Sequence, residues 1–256
     1  MPAEGLLSLS TLYGFLLVLA RVGGVFALAP LPGFQSGPKP ARIVLAVLVT
    51  LLLAPAWPPV DAARMDIPRL LLAALGQTSI GVTLGLAVAF ILEAFVMGAQ
   101  ILSLNAGFSF AQTIDPSTQA ESGVLLVFAQ LAGGLIFVSL GLDREVLRTL
   151  ARSLDVNPSG PWITPAAAEA LMRLGGEMLA LAVRLALPCL ALLVLADLAL
   201  ALLGRLNAQL QLLTLAFPLK MMAALILLGW ITVLLPRLLA EYAGTVFGTL
   251  ERMWTQ

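Results

Sequence analysis

The sequence predicts an all-α integral membrane protein with about six hydrophobic helical segments, and two observations carry this prediction. Of the 256 residues, 60% are hydrophobic and 11% are charged, and the mean hydropathy is +1.02. A soluble domain has about 25% charged residues, so this chain has too few polar residues to cover a soluble core. The apolar residues also form runs of about the length that crosses a bilayer as a helix. The runs lie at residues 6–29, 41–57, 68–102, 123–142, 177–203 and 212–235.

Missing residue types exclude several kinds of site. The chain has no histidine and one cysteine, Cys189, which lies inside an apolar run. Zinc sites, haem ligation by histidine, Ser-His triads and intrachain disulfides all need residues that this composition lacks. The 14 basic and 14 acidic residues balance, which gives no indication of a nucleic-acid partner. We therefore expect a protein that is not an enzyme and has no catalytic residues, cofactor or metal.

The first run predicts a helix that stays in the mature protein. Its leading residues, MPAEGLLSLS, contain an acid and no base, and Arg21 comes only later, unlike the order in a cleavable signal peptide. The segment APLPGFQSGPKP ends this run because its prolines and glycines cannot continue a helix. The second run begins near Arg42 and ends at the Pro-rich connection APAWPPVD.

The third run is too long for one ordinary span, since it would reach on the order of 50 Å as a helix. Gly81 and Gly85 form a GxxxG pattern that favours close helix packing, although chance explains it equally well in a Gly-rich chain. Further on, Glu93, Met97 and Gln100 lie within about 60° of one another on a helix. An ionisable group in such a run must face a partner or water.

The segment at residues 104–122, LNAGFSFAQTIDPSTQAES, is a polar interruption without lysine or arginine. Asp115 and Pro116 suit a helix cap and first turn, and the TQAE sequence that follows fits a capping box. We expect residues 104–114 to be irregular and the next helix to begin near Asp115. Irregular backbone at membrane depth must be buried in protein or line an aqueous path, so a broken or re-entrant loop is predicted.

Residues 143–176 form a polar, charged connection. Arg144, Arg148 and Arg152 recur at every fourth position, which places them on one helix face. We interpret this face as solvated or facing lipid headgroups, with a specific binding site as the alternative.

The last two apolar runs contain charged residues. Arg184 and Asp197 point to different helix faces, so each needs a partner elsewhere, unless Arg184 extends to the membrane surface. Lys220 has the same two possibilities. Together with Glu93 and Gln100, these residues are candidate polar contacts between helices or subunits.

The distribution of basic residues predicts that both termini are cytoplasmic. With six spans, the connections on the side of the termini contain eight basic residues and the others contain three. The eight are Arg64, Arg69, Arg144, Arg148, Arg152, Arg173, Arg237 and Arg252, and the three are Lys39, Arg42 and Arg205.

Three segments together carry a resemblance to a known family. They are NAGFSFAQTIDPSTQAES, the early RVGGVFALAPLPG with the turn up to Arg42, and the block from Pro188 to Lys220 that ends in FPLK. These segments resemble the FliR family of flagellar export-gate proteins, which has relatives in virulence type III secretion. The resemblance covers about residues 12 to 250. Two connections depart from the family. After the late arginine the family often has Pro-Gln-x-Asn, whereas this chain reads RLNAQLQ from Arg205. After the fourth run the family often has Gly-His, whereas this chain reads GLD from Gly141.

The resemblance implies one membrane domain over residues 1–256, built of inclined helical hairpins in a funnel-like assembly. Its partners would be FliP- and FliQ-like subunits, an FlhB-like subunit near the gate, membrane lipid and unfolded exported polypeptides, in the bacterial inner membrane at the flagellar basal body. Much of such an assembly lies above the ordinary bilayer plane. The resemblance also implies that the loop at 104–122 plugs the pore. The plug residues are Gly107, Phe108, Ser109, Phe110, Asp115 and Pro116.

Other functions stay open on this sequence. A homologous subunit of a virulence secretion system would have the same features. A secondary transporter usually has interrupted segments at matching positions in two halves, whereas a strong interruption occurs here only in the first half. A membrane enzyme is the third alternative.

Overall fold

The computed structural model describes residues 9–29, 39–60, 66–108, 124–158, 164–206 and 212–254. Every regular element in these ranges is helical. The helices are α1 (Leu9–Leu28), α2 (Lys39–Leu52), α3 (Ile67–Ala106), α4 (Val124–Ser139), α5 (Leu142–Val156), α6 (Pro165–Leu206) and α7 (Leu212–Trp254), with a short 3-10 turn at Ala54–Ala56. The predicted all-α fold is confirmed for the described residues.

The described residues support four or five candidate membrane spans, fewer than the about six hydrophobic helical segments that the sequence predicts. Four helices, α1, α3, α6 and α7, are long and apolar enough to cross a membrane, and a fifth span is possible if α4 and α5, which are bent by 65°, act together. The run at 41–57 gives only the short helix α2, because the prolines after Leu52 end it. The run at 123–142 gives the 16-residue helix α4. The cytoplasmic position of the termini was counted on six spans and stays a prediction.

Three helices extend beyond the runs that hydropathy delimits. Helix α6 begins twelve residues earlier than the run at 177–203, because its first turns, PAAAEALMRL, are rich in strong helix formers. Helix α7 passes Pro236 and continues to Trp254. Helix α3 includes residues 104–106 and Phe108 is also helical, so among the described residues of the predicted irregular segment only Gly107 is not helical. Hydropathy measures the affinity for lipid, whereas helix continuity depends on backbone hydrogen bonds and local propensity.

The chain divides into two compact units, of which the first comprises residues 1–91, 137–175 and 241–256. In this unit the rings of Phe15 and Trp57 pack edge to face with centroids 5.5 Å apart. The Trp57 indole N–H donates to the Thr50 carbonyl at 3.0 Å, which fixes the Pro-rich turn on the end of α2. The Tyr242 hydroxyl donates to the Leu174 carbonyl at 2.8 Å. The Phe15–Trp57 contact and the Tyr242–Leu174 bond join segments that are distant in sequence.

Helix α5 belongs to the first unit and has two contrasting faces. One face is buried and consists of Leu142, Val146, Thr149, Leu150, Ser153 and Leu154. Arg144, Arg148 and Arg152 lie on the exposed face, where Arg148 pairs with Glu145 at 3.2 Å and Arg152 pairs with Glu251. Gly141, with φ of +70°, precedes the helix in the left-handed conformation that glycine adopts without strain. The charged region at 143–176 therefore contains helix α5 and the start of α6.

The second unit comprises residues 92–136 and 176–240. Its core is apolar, with Phe95, Leu125, Cys189 and Leu193 almost fully buried. Helices α3 and α6 approach closely at Gly98, where an added Cβ would lie 3.2 Å from the Ala182 carbonyl oxygen. Glycine at this position allows backbone contact that a side chain would hinder.

Candidate functional site

The end of α3 places the first residues of the predicted plug. The Gly107 N–H donates to the Leu104 carbonyl at 3.3 Å, and Gly107 has φ of +87°. A left-handed glycine is the usual way to end a helix, since it has no Cβ to clash. Gly107 is buried and Phe108 is half-buried. The other plug residues, Ser109, Phe110, Asp115 and Pro116, lie outside the described residues, as does the predicted capping box.

The polar residues predicted inside the apolar runs all lie in the second unit. Glu93 and Gln100 of α3 are exposed in the single chain, and so is Arg184 of α6. Within the described part of the chain, neither Glu93 nor Arg184 forms an ion pair. Each of these helices is long and apolar enough to cross a membrane. Since an unpaired charge facing lipid is unfavourable, these positions require a polar partner or water.

Asp197 and Lys220 are brought together by α6 and α7. The Lys220 ammonium pairs with the Asp197 carboxylate, and the Lys220 side chain is 16% exposed while that of Asp197 is 48% exposed. The sequence left open whether Lys220 faces a partner or extends to the membrane surface, and the structure places it against a partner within the chain. Arg184 is not a partner of Asp197, as the helix geometry predicts.

We expect Asp197→Asn and Lys220→Met each to lower the free energy of unfolding by about 1–3 kcal/mol, between the values for exposed and buried ion pairs. Either change leaves one charge without its partner in an apolar environment. The exchange Asp197→Lys with Lys220→Asp should recover most of the loss, because it restores the pair. The melting temperatures of the three purified variants in detergent test this. A double variant no more stable than the single ones would contradict the assigned pair.

Gly81 and Gly85 lie where α3 meets α1 in the first unit. A Cβ built on Gly81 would lie 2.0 Å from the Arg21 carbonyl oxygen, and one on Gly85 would lie 2.7 Å from that of Val25. On the opposite helix, a Cβ on Gly24 would lie 2.7 Å from the Thr78 carbonyl oxygen. The two backbones therefore touch along a line that admits only glycine.

A buried arginine was not among the predicted site residues. Arg21 in α1 is fully buried and donates from Nε to Gln77 Oε1 at 2.7 Å. One terminal nitrogen donates to the carbonyl of Ser153 at 2.6 Å and to its hydroxyl at 3.0 Å, and the other donates to the Asn157 carbonyl at 2.6 Å. A lone arginine in an apolar run was the available signal. Its acceptors could not be found, because three of the four lie more than 130 residues away.

Within the described residues, no group of three or more His, Cys, Asp or Glu side chains is placed to hold a metal ion. The arrangement offers contacts between helices: a glycine line, a buried arginine with its acceptors, an ion pair and exposed polar side chains on apolar helices. Contacts of this kind set how helices assemble in a membrane.

Comparison with known proteins gives one consistent family. A model of the bacterial export proteins, family 1, matches residues 12–246. The flagellar biosynthetic protein FliR of Escherichia coli (strain K12) is 28% identical over 233 residues, which cover 91% of this chain and 89% of that protein. The FliR of Pectobacterium carotovorum is 29% identical over 92% of this chain and 90% of that protein. The FliR of Bacillus subtilis (strain 168) is 27% identical over 84% of each chain. The chain therefore belongs to the bacterial export proteins, family 1, the FliR family.

Proposed function

We propose that this chain is a subunit of the flagellar type III protein-export gate, where it forms the peptide-conducting channel with FliP- and FliQ-like subunits. Its family and its membrane-length helices support this role. An FlhB-like subunit would lie near the gate, and the complex would lie in the bacterial inner membrane with both termini of this chain in the cytoplasm. Unfolded polypeptides would be the transported material.

The observation that carries the proposal is the set of polar side chains exposed on apolar helices. Glu93, Gln100 and Arg184 are exposed in the single chain, although their helices are long and apolar enough to cross a membrane. Such groups are stable when another subunit covers them or when they face an aqueous path. A subunit of a multi-chain channel has both kinds of surface.

The second part of the proposal is a plug that occludes the channel. The plug tip would be Gly107, Phe108, Ser109 and Phe110, and Asp115 with Pro116 would anchor the loop. Helix α3 ends at the left-handed Gly107, and Phe108 follows directly, which supports a change of chain direction at this point. A loop held by a few turn and cap interactions can be displaced without breaking a core.

Co-expression with FliP- and FliQ-like subunits, followed by affinity purification through a tag on this chain, tests the assembly. We expect all three chains to purify as one complex with a defined native mass. Arg184→Leu should reduce the recovery of the partner chains, since it removes a charge from the proposed contact surface. Arg144→Leu is the matched control, because Arg144 is exposed on the amphipathic helix α5. A chain that purifies alone and moves a small solute would contradict the proposal.

A further inference from the structure

We propose that Arg21 is the C-terminal cap of helix α5 and the lock that keeps this helix docked on α1 and α3. A fully buried guanidinium is costly unless its donors are satisfied and its charge is balanced. Within the described residues, the four hydrogen bonds of Arg21 all end on neutral acceptors. The balancing charge must therefore come from a source other than a directly bonded carboxylate.

The last turn of α5 supplies this negative charge. The carbonyls at the C-terminus of a helix carry the negative end of the helix dipole, equivalent to about half an elementary charge. Arg21 donates to the carbonyls of Ser153 and Asn157, which lie in the last turn and at the C-cap of α5. The cation thus lies at the end of the helix that attracts it.

Helix α3 holds the guanidinium in this position. The side-chain amide of Gln77 accepts from Arg21 Nε through its oxygen and donates from its nitrogen to the Pro158 carbonyl at 2.9 Å. Gly81, one turn further along α3, lies directly against the backbone of Arg21. Gln77 and Gly81 are four residues apart and share one face of the helix. The close backbone approach at Gly81 therefore brings Arg21 within bonding distance of Gln77.

The rest of α5 explains why a lock is needed. Only six of its fifteen residues are buried, two of them polar, and the opposite face is exposed and charged. Its N-terminal end follows the left-handed Gly141, where an added Cβ would meet nothing within 4 Å. Loss of Arg21 removes the donor to the Asn157 carbonyl and two of the bonds to Ser153. Among the described residues, the Ser153 carbonyl then keeps only the Asn157 N–H at 3.2 Å, and its hydroxyl keeps only its own donation to the Leu150 carbonyl. Polar groups in and near the core that lose a bond to a charged donor lower the stability of this end of the helix. We expect the C-terminal end of α5 to open locally while the second unit stays folded.

Thiol labelling of the full chain in membranes tests the lock. Leu154→Cys places a reporter on the buried face of α5, and the native Cys189, buried in the second unit, reports global unfolding. With N-ethylmaleimide, adding Arg21→Met should speed labelling of the introduced thiol by about a hundredfold, as expected for the loss of bonds to a charged group. Arg21→Lys should have a smaller effect, because an ammonium has three donors that cannot reach all four acceptors. Labelling of Cys189 should not change.

A second variant covers the case in which Arg21→Met does not accumulate. Gln77→Leu removes one acceptor and one donor and should speed labelling of the reporter by about tenfold. Arg148→Met in the reporter background is the matched control, since Arg148 is 73% exposed and should leave the labelling rate unchanged. Unchanged labelling in the Arg21 and Gln77 variants would overturn the proposal. A parallel rise in Cys189 labelling would overturn it too, because the opening would then be global.

Discussion

Gly81→Ala is expected to be among the most destabilising single-methyl changes in this protein, costing about 3 kcal/mol or more. The new methyl carbon would lie 2.0 Å from the Arg21 carbonyl oxygen, 2.9 Å from its carbon and 3.1 Å from the Gly24 Cα. All three are backbone atoms, so no side chain can rotate away and the two helices must separate. Separation would also pull Arg21 away from Gln77. The melting temperature of the detergent-purified chain measures the effect, with loss of the folded peak in size-exclusion chromatography as the readout after heating.

Neighbouring glycines in α1 provide the controls for this experiment. An added Cβ on Gly23 meets nothing within 4 Å, whereas one on Gly24 would meet the Thr78 oxygen at 2.7 Å. Gly23→Ala should therefore stabilise the helix by about 0.5–1 kcal/mol, because alanine loses less backbone entropy than glycine. Gly24→Ala should behave like Gly81→Ala. Equal melting temperatures for the Gly23 and Gly81 variants would contradict the close backbone contact.

Deletion of residues 107–112 is expected to have the largest functional effect, a marked rise in the leak of ions and small molecules through the assembled complex. A channel wide enough for a polypeptide conducts ions unless side chains fill it, and the proposed plug supplies Phe108 and Phe110. The measurement is dye release from liposomes that contain the complex, or conductance across a planar bilayer.

Two further variants separate the plug from a general disturbance of the loop. The double change Phe108→Ala and Phe110→Ala keeps the chain length and removes only the aromatic rings, so it should also raise the leak. Thr113→Ala is the matched control in the same segment, outside the proposed plug residues, and should leave the complex closed. If the deletion gives a complex of normal composition and unchanged permeability, the plug proposal is wrong.

Much of the helical architecture is readable from the sequence because its signals are local. The breaker-rich segment after Ala29 and the Pro-rich segment after Leu52 were expected to end α1 and α2, and both helices end there. Lengths were harder to predict. Residues 165–176 and 237–254 are too polar to count as membrane runs, but they continue α6 and α7 as helix. Their helical state depends on propensity and on packing by residues such as Tyr242 and Leu250.

The candidate contacts can also be predicted from the sequence only in part: it identifies one side of each contact, and packing determines the other. The GxxxG pattern marks Gly81 and Gly85 on one face of α3, but only the fold shows that α1 lies against them. Helix geometry excludes Arg184 as the partner of Asp197, yet the choice of Lys220 depends on how α6 and α7 pack. Arg21 shows the limit most clearly. Two of its four acceptors are backbone carbonyls, which every residue has, so no sequence pattern identifies them.

The exposed apolar surface of α6 affects how long an unassembled copy of the protein persists in the cell. Large exposed hydrophobic side chains recur along this helix from Met172 to Leu203, a distance of roughly 47 Å at 1.5 Å per residue. The hydrocarbon layer is about 30 Å thick, and spanning helices tilt by up to about 40°, so lipid cannot cover the whole length. A newly made copy without other subunits therefore exposes hydrophobic surface that chaperones and proteases recognise. We expect its half-life in the membrane to be set by how soon assembly partners arrive.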